Sequence, residues 1–449
     1  MASKLDKLLF SPTDISVVSI FRIVFGAFMV YQTSYYFSID YAHQFMSGPE
    51  FLFSYEGLEF IRPMSHGVLK VINIGMIVAA VLITIGFLYR YATVFFFLGF
   101  SYFTLIDKTI YNNHLYLIML LALVLIFIPA ANKYSIKALL SKKTLARVVP
   151  SWNQYLLAFL IGLPYFFGGI AKLSPNWLST NLVKEIVSSS QSSFLTELFP
   201  QNILIGFLKY GGLIYDLGIV FLLFYKKTRW LGLALVVIFN LSNHSILFND
   251  IGLFPFLMIA STILFFDAQK VGSFTDKMLR RIGLVITKNQ APPATINTSS
   301  LVKGLVLAFV VFQLVFPLRH HFLTSNPEWT GVAQRFSWRM KLQSKNLVVF
   351  NMQLVDQTGA KSVPVQAKTF VTANQYIHLV EDPFNLIALS KYISKQATEK
   401  GVIENAKVFA DVQLIFNSKQ IQPLCDTSLD LTTINASKIN NEAWIKQLR

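Results

Sequence analysis

The chain has 449 residues, of which 54% are apolar and 14% are charged, and its formal net charge is +16. Soluble domains contain about 25% charged residues, so this composition excludes an ordinary soluble fold and indicates a large lipid-facing surface. The positive charge does not predict a nucleic-acid partner, because the basic residues lie in short gaps between apolar runs and form no patch. The single cysteine, Cys425, excludes a disulfide framework and a cysteine-based metal centre, and we expect no metal.

Nine apolar runs predict helices that span a membrane. A span needs about 20 largely apolar residues, with about 17 as the lower limit, and the shorter runs need polar ends that face the bundle interior. The predicted fold class is therefore an α-helical polytopic membrane protein with about nine spans in residues 1–318 and a small non-cytoplasmic α+β domain in residues 319–449. The predicted spans are Ile15–Phe37, Val68–Leu88, Tyr91–Leu105, His114–Ala131, Tyr155–Ile170, Ile203–Tyr225, Trp230–Phe248, Ile251–Phe266 and Leu301–Leu318.

The basic residues alternate between the gaps that separate these spans. One set of gaps holds sixteen of them, whereas the alternate set holds the four residues Arg62, Lys108, Lys172 and Lys184. By the positive-inside rule, the N-terminus is predicted to be cytoplasmic and the chain after Leu318 non-cytoplasmic. The single cysteine and the compact tail favour a bacterial inner membrane, with the active face periplasmic or external. The sixteen are Lys4, Lys7, Arg90, Lys133, Lys137, Lys142, Lys143, Arg147, Lys226, Lys227, Arg229, Lys270, Lys277, Arg280, Arg281 and Lys288.

The tail has a different pattern from the apolar part of the chain. Alternating apolar and polar residues predict strands at Leu347–Val355, Ser362–Ala367 and Val408–Phe416. Asp382 followed by Pro383 predicts the start of a helix that runs to about Lys400, because Asp accepts the unpaired amide hydrogens and Pro has no amide hydrogen that needs an acceptor.

Lys172 follows the apolar segment Tyr165–Ala171 at the end of a predicted span. Long basic side chains at such positions usually extend to the lipid headgroups, which is the first interpretation. The second is a partly buried amine that burial keeps neutral, so that it can act as a base near neutral pH. Gly168 and Gly169 just before it would let another helix or a flat ligand come close.

His114 begins a predicted span and is preceded by Asn112 and Asn113. These residues could be an interfacial polar cap for that helix. Alternatively, a histidine and an amide could converge on an oxygen that gains negative charge, where fixed donors in a dry site are most effective.

Other polar residues inside or beside the apolar runs have weaker claims. His244 and the pair His320 and His321 are each more often interfacial residues. Asp216 lies inside an apolar run, where an acid is costly and indicates a functional or pairing role. Arg22 lies in the first span, where we expect it to pair with an acid.

These residues occur in segments that resemble the vitamin K-dependent γ-glutamyl carboxylases and their microbial relatives, the horizontally transferred transmembrane family. The segments follow the order of that family and lie in about the first 340 residues. They are Ser11–Val30 (SPTDISVVSIFRIVFGAFMV), Asp107–Leu115 (DKTIYNNHL), Gly169–Trp177 (GIAKLSPNW), Gly211–Phe224 (GGLIYDLGIVFLLF) and Phe316–Thr324 (FPLRHHFLT), followed by Phe336, Ser337, Trp338 and Met340.

The resemblance implies a reaction in which reduced vitamin K and O2 generate a strong base that removes a γ-proton from a substrate glutamate, which then adds CO2. It implies that Lys172 deprotonates the quinol and that His114 supports the oxygenation step. The substrate partner implied is a glutamate-containing peptide or protein, and membrane lipids surround the site. The residues assigned to quinone binding are Asn112, Asn113 and His244, and those assigned to glutamate or peptide binding are His321, Phe336 and Trp338.

The chain also departs from the family pattern. Ala171 precedes Lys172 where animal enzymes have a second lysine, and Asn240 stands where a histidine is usual. Most of the large lumenal region of the animal enzymes is missing, so their mode of propeptide recognition is not expected. Two other functions stay open: quinone epoxidation without protein carboxylation, and a non-enzymatic lipid or peptide carrier in which Lys172 and His114 only extend to the interface.

Overall fold

The computed structural model describes residues 4–141, 145–189, 199–247, 251–283, 296–324, 326–435 and 442–448. Most of it is helical, and a small sheet lies near the C-terminus. The elements of the first part are α1 (Lys4–Phe10), β1 (Pro12–Asp14), α2 (Ser16–Ser38), α3 (His66–Ile85), α4 (Tyr89–Leu105), α5 (Asn113–Phe127), α6 (Ile136–Leu140), β2 (Val148–Pro150), α7 (Trp152–Lys172), α8 (Pro175–Leu178), α9 (Asn181–Ser189), α10 (Gln201–Phe224), α11 (Arg229–Ser242), α12 (Phe254–Phe265), α13 (Ala268–Arg281) and α14 (Ser300–Leu323). Those of the second part are α15 (Pro327–Thr330), β3 (Lys345–Val355), β4 (Ser362–Val365), α16 (Ala373–His378), α17 (Phe384–Glu399), β5 (Lys407–Phe416) and β6 (Ile421–Pro423).

Helices that could cross a membrane dominate the first part. Within the described ranges, five helices are long and apolar enough (α2, α3, α7, α10 and α14), or six if the bent pair α12 and α13 forms one span. A helix lies at each of the nine predicted positions, but α4, α5 and α11 have only 17, 15 and 14 residues. The prediction of a polytopic helical membrane protein is therefore confirmed, whereas the count of nine is not.

Arg22 does not pair with an acid among the described residues, so that prediction is wrong. Its side chain is fully buried and donates to the carbonyl oxygen of Ile83 at 2.9 Å and to that of Tyr134 at 2.5 Å. Ile83 lies in the last turn of α3, where helix carbonyls have no partner within the helix. These carbonyl oxygens carry partial negative charge, so they stabilise the guanidinium without a carboxylate.

The second part contains a four-stranded antiparallel sheet with the order β4-β3-β5-β6. In the long central pair, Lys345 lies opposite Phe416 and Val355 lies opposite Lys407. Side chains of β5 alternate between buried and half-buried, and the buried ones join the core that includes helix α17. The predicted strands and helix are confirmed to within a few residues. The predicted domain boundary after residue 318 stays a prediction.

The segments predicted to be non-cytoplasmic meet at one end of the helical bundle, called the domain end because it contacts the sheet-containing part. The amide of Gln375 donates to Asp107 Oδ2 at 2.8 Å, and Lys108 Nζ lies 3.7 Å from Asp382 Oδ2. The other end, called the opposite end, contains the paired strands β1 and β2 and helix α13. The domain end holds the predicted site.

Candidate active site

A cavity of about 470 Å³ lies at the domain end, between the bundle and the loop that precedes β3. Its lining includes both predicted catalytic residues, Lys172 and His114, and the predicted quinone-binding residues Asn112 and Asn113. Lys172 lies in the last turn of α7. Asn113 and His114 lie in the first turn of α5, and Asn112 directly precedes that helix. Two sequence segments about 60 residues apart are thus brought to one cavity, as their motifs predict.

The amine of Lys172 points into the bundle. Its Nζ lies 2.5 Å from Oδ2 of Asp216 on α10 and 5.0 Å from the centre of the Trp177 ring. The Lys172 side chain is 13% exposed and that of Asp216 is 6% exposed. Two costly buried charges therefore compensate each other, and Lys172 does not extend to the headgroups in this conformation.

The predicted close approach at Gly169 is made by a helix. A methyl group at this position would lie 2.8 Å from the side chain of Leu217 and 2.9 Å from its backbone nitrogen. Helices α7 and α10 can therefore touch only because residue 169 has no side chain. This contact brings Asp216, the neighbour of Leu217, within reach of Lys172.

His114 is positioned by its neighbours on both sides. The side chain of Asn112 accepts a hydrogen bond from the backbone N–H of His114 at 2.6 Å and so caps α5. The His114 ring stacks on Phe254 of α12, with ring centres 3.6 Å apart and planes 13° apart. Asn112 is therefore the polar cap of α5, as one of the two interpretations predicted. The imidazole of His114 lies on the cavity wall.

Asn113 is held by two contacts. Its Oδ1 accepts from the hydroxyl of Tyr111 at 2.9 Å, and its Nδ2 donates to the carbonyl oxygen of Arg339 at 3.3 Å. The amide thereby connects α5 to the loop before β3. Sequence reasoning did not identify Tyr111, although it stands inside the DKTIYNNH segment.

His244 and Asn240 lie near the cavity in different ways. Asn240 lines it and donates to the hydroxyl of Tyr165 at 3.0 Å. His244 packs against Phe256, with ring centres 5.0 Å apart, and is not among the described residues that line the cavity. Its assignment to quinone binding stays a prediction.

Phe336 and Trp338 lie beneath the cavity wall. Trp338 is fully buried against Tyr116 of α5, and Phe336 packs against Tyr111 and Tyr116. Both have left-handed backbone conformations, with φ of +61° and +58°. Neither is among the described lining residues, whereas the adjacent Arg335 and Arg339 are. The two aromatic side chains thus fix the loop that places the arginines.

The pair His320 and His321 divides between interior and surface. His321 is exposed, whereas His320 is buried and accepts from Nη1 of Arg339 at 3.0 Å. Arg339 also forms a buried ion pair with Glu328, whose other oxygen accepts from Asn176 at 3.3 Å. Sequence reasoning missed Arg339 and Glu328, because no motif indicates which charges on a loop will be buried. The role predicted for His321 stays a prediction.

A second charged pair lies on the domain side of the cavity. His378 Nδ1 and Glu381 Oε2 are 2.8 Å apart, and both residues line the cavity. The hydrogen bond that His378 donates to the Glu381 carboxylate raises the pKa of His378 above its ordinary value, against the effect of burial. Burial alone would raise the pKa of Glu381, but the hydrogen bond and positive charge of His378 hold it below its ordinary value.

Comparison with known families agrees with the resemblance of the motifs. Residues 10–269 match the HTTM domain, and residues 298–449 match the lumenal domain of vitamin K-dependent gamma-carboxylase. No solved structure matches the chain. Among the described residues, no group of three or more His, Cys, Asp and Glu side chains could hold a metal ion. With both family domains present in order, the chain belongs to the vitamin K-dependent γ-glutamyl carboxylase family.

Proposed function

We propose that this protein couples oxygenation of reduced vitamin K to the carboxylation of glutamate residues in a peptide or protein. The observation that carries the proposal is the convergence of Lys172, His114 and Asn113 on one cavity at the domain end. All three lie in the segments that resemble the carboxylases. The co-substrates are O2 and CO2, and no metal is required.

The cavity suits a flat apolar ligand with polar oxygen atoms. Its volume of about 470 Å³ lies within the range of roughly 300–1,000 Å³ common for small-molecule sites. Phe239, Phe254 and Met258 supply apolar walls, and Lys172 and His114 supply polar groups. The residues present therefore fit a quinol ring.

Lys172 is proposed to act as the base. Reduced vitamin K, when bound, reacts with O2 and supplies the strong base that the carboxylation of glutamate needs. In its deprotonated state, the amine of Lys172 takes the proton from a quinol hydroxyl, and the ion pair with the Asp216 carboxylate is the state that forms. Asp216 also fixes the direction of Nζ, so we propose it as a positioning residue.

His114 and Asn113 are proposed to stabilise negative charge on the ligand oxygen. Their positions are fixed by Phe254, Tyr111 and the carbonyl of Arg339, so little reorganisation is needed when charge develops. The site lies inside the protein at the end of the bundle. Exclusion of water there would protect a carbanion from protonation.

The wall made by residues 334–343 is the proposed side of entry for glutamate. Phe336 and Trp338 fix this wall, and Arg335 and Arg339 face the cavity. His321 stays a candidate for contact with the peptide from the surface, whereas His320 contacts Arg339 directly. We assign recognition of the substrate backbone or flanking residues to this region.

The nine-span topology with a non-cytoplasmic C-terminus belongs to the same proposal. It would place the cavity on the periplasmic or external face of a bacterial inner membrane, where secreted substrates pass. A reporter fused after Arg449 should be non-cytoplasmic and one inserted near Lys142 cytoplasmic; both positions lie outside the described residues. Finding both reporters on one side would contradict the topology.

Quinol oxygenation without protein carboxylation is the second candidate. Arg335 and Arg339, the guanidinium groups identified on the wall, are each already paired with a buried carboxylate, Asp382 and Glu328 respectively. A substrate carboxylate would have to compete with these acids. This pairing is the observation that favours the second candidate.

One assay separates the candidates. Purified protein is given reduced vitamin K, labelled CO2 and a glutamate-rich peptide, and both vitamin K epoxide and peptide-bound label are measured. Epoxide with label supports the carboxylase, and epoxide without label under saturating peptide supports the second candidate. Neither product from folded protein would leave the lipid or peptide carrier as the best interpretation.

A further inference from the structure

Helix α13 (Ala268–Arg281) lies outside the candidate active site, at the opposite end of the bundle. It begins three residues after α12 ends, and the two helix axes differ in direction by 108°. The side chain of Asp267 caps its first turn by accepting from the backbone N–H of Lys270 at 3.0 Å. Because of this bend, an α12 that crosses the membrane would leave α13 running along the membrane surface.

The position of α13 relative to the membrane follows from α7. Near the start of α7, the side chain of Gln154 donates to the carbonyl oxygens of Leu264 and Phe266, both at 2.8 Å. At the end of α7, Lys172 lines the candidate active site. Eighteen residues of helix cover about 27 Å, close to the thickness of about 30 Å of a bilayer core. The first turn of α13 is therefore one membrane thickness away from the site.

Helix α13 has a buried face and an exposed apolar face. Ala268 and Gly272 are buried against the bundle. A second face is apolar and exposed to the exterior: Phe274 is 67% exposed, Met278 46% and Ile282, just beyond the helix, 70%. Their spacing of four residues aligns them in one stripe.

Basic side chains flank this apolar stripe. Lys270, Lys277 and Arg281 are exposed and lie next to one another on the helix surface, on the side of the stripe away from the bundle. An apolar stripe with adjacent lysine and arginine is the arrangement of helices that lie in a membrane interface. Anionic headgroups complement the charge of such a helix.

A cavity of about 530 Å³ next to α13 adds further basic groups. Arg147, Lys226 and Arg229 line it together with Ser273 of the helix. Two of its acids, Asp14 and Asp276, are already paired with Lys133, at 3.7 and 3.0 Å. The third, Asp267, is engaged as the helix cap.

We infer that α13 lies flat in the membrane interface at the opposite end and binds anionic phospholipid headgroups. Phe274, Met278 and Ile282 insert between the acyl chains. Lys270, Lys277 and Arg281 contact the phosphates. This lipid contact is independent of the proposed chemistry at the domain end.

The insertion of the apolar stripe is tested by depth measurements on α13. Met278→Cys and, as an exposed control on another face of the helix, Arg280→Cys are labelled with a fluorescent maleimide and reconstituted into bilayers. The native Cys425 stays unlabelled, because it is buried and burial raises its thiol pKa to about 11. The label at 278 should be quenched by lipids with spin-labelled acyl chains and protected from iodide, and the label at 280 should respond to iodide. Equal iodide quenching at both positions would overturn the proposal.

The headgroup preference is tested with spin-labelled phosphatidylglycerol against spin-labelled phosphatidylcholine. The variant Lys270→Gln/Lys277→Gln/Arg281→Gln should lose the preference for phosphatidylglycerol, by roughly fivefold for each charge removed. The control Lys391→Gln/Lys395→Gln/Lys400→Gln removes the same charge from exposed positions of the domain and should keep it. A preference that survives in the first variant, or that falls equally in both, contradicts specific binding by α13.

Discussion

The two ends of the helical bundle each hold a buried lysine beside a carboxylate, but the surroundings of the two amines differ. At the opposite end, Lys133 is 4% exposed and donates to Asp276 at 3.0 Å and to the hydroxyl of Ser16 at 2.7 Å. At the domain end, Lys172 is 13% exposed, and its hydrogen-bond acceptor among the described residues is Asp216, at 2.5 Å. Both lysines line a cavity, but the first amine has three oxygen acceptors within 4 Å, and the second has one among the described residues.

An ammonium group has three donors, and the number that the protein occupies decides what a lysine can do. Lys133 also has Asp14 at 3.7 Å, so its charge is fully compensated and its role is to hold β1 against α13. Lys172 has one acceptor among the described residues, so it keeps hydrogen-bonding capacity for the cavity that it lines. A buried lysine is thus a structural ion pair at one end and a candidate base at the other.

The largest effect is expected from Lys172→Ala. It should lower both epoxide formation and CO2 incorporation by roughly 10²- to 10⁴-fold, because the second half-reaction depends on the first. Both products are measured on protein shown to be folded by its thermal transition. A small exogenous amine at raised pH should restore part of both activities, and near-normal turnover in the variant would remove the proposed base.

Asp216→Asn should have a smaller effect on the same reaction. The amide keeps the shape but no longer stabilises an ammonium, so the acid limb of the pH–rate profile should move to lower pH. The maximal rate should fall roughly tenfold as the amine loses its orientation. The control Asp276→Asn removes the corresponding acid at the opposite end and should leave the profile in place. An unchanged profile for Asp216→Asn would show that it does not act through Lys172.

Lys133→Ala should reduce stability without changing the chemistry. Removing one partner of a buried pair costs roughly 3–5 kcal/mol, because Asp276 is left without its cation. Thermal unfolding in detergent and turnover per folded molecule are measured together. A loss of turnover in fully folded protein would contradict the distinction between the two lysines.

The smallest effect is expected at the cavity rim, from His378→Gln. With the pKa of His378 raised, its stabilising contribution is complete below about pH 6.5 and is lost as the pH rises through the raised value. With the pKa of Glu381 lowered, its contribution is complete above about pH 4.5 and is lost as the pH falls through the lowered value. The melting temperature of His378→Gln should therefore fall furthest below that of the unchanged protein between about pH 4.5 and pH 6.5. The two melting temperatures should agree at alkaline pH.

Sequence patterns predicted local elements well and partners poorly. The alternation in β5 is a local property, so the strand was predicted almost to its ends. The convergence of Lys172 and His114 followed from the resemblance to a family and not from spacing. Asp216 was recognised as costly in an apolar run, but no local pattern shows that an acid 44 residues away meets Lys172.

Arg22 and the histidine pair show two further limits. A basic residue in a span predicts a compensating partner without specifying its type, and at Arg22 the end of a helix took the place of an acid. Neighbouring residues of a helix point about 100° apart, so His320 and His321 face different environments. The motif can be aligned on either histidine, so it cannot decide whether His320 or His321 is buried.

The contacts of Asp107 and Asn113 have a consequence for how the protein is made. These residues lie early in the chain, yet they are held by Gln375 and by the loop at Arg339, which are synthesised much later. The segment that carries His114 can therefore reach its final geometry only after the chain beyond Gln375 has been synthesised and folded. An incompletely synthesised chain would lack these contacts, so the proposed chemistry could not begin before synthesis is nearly complete.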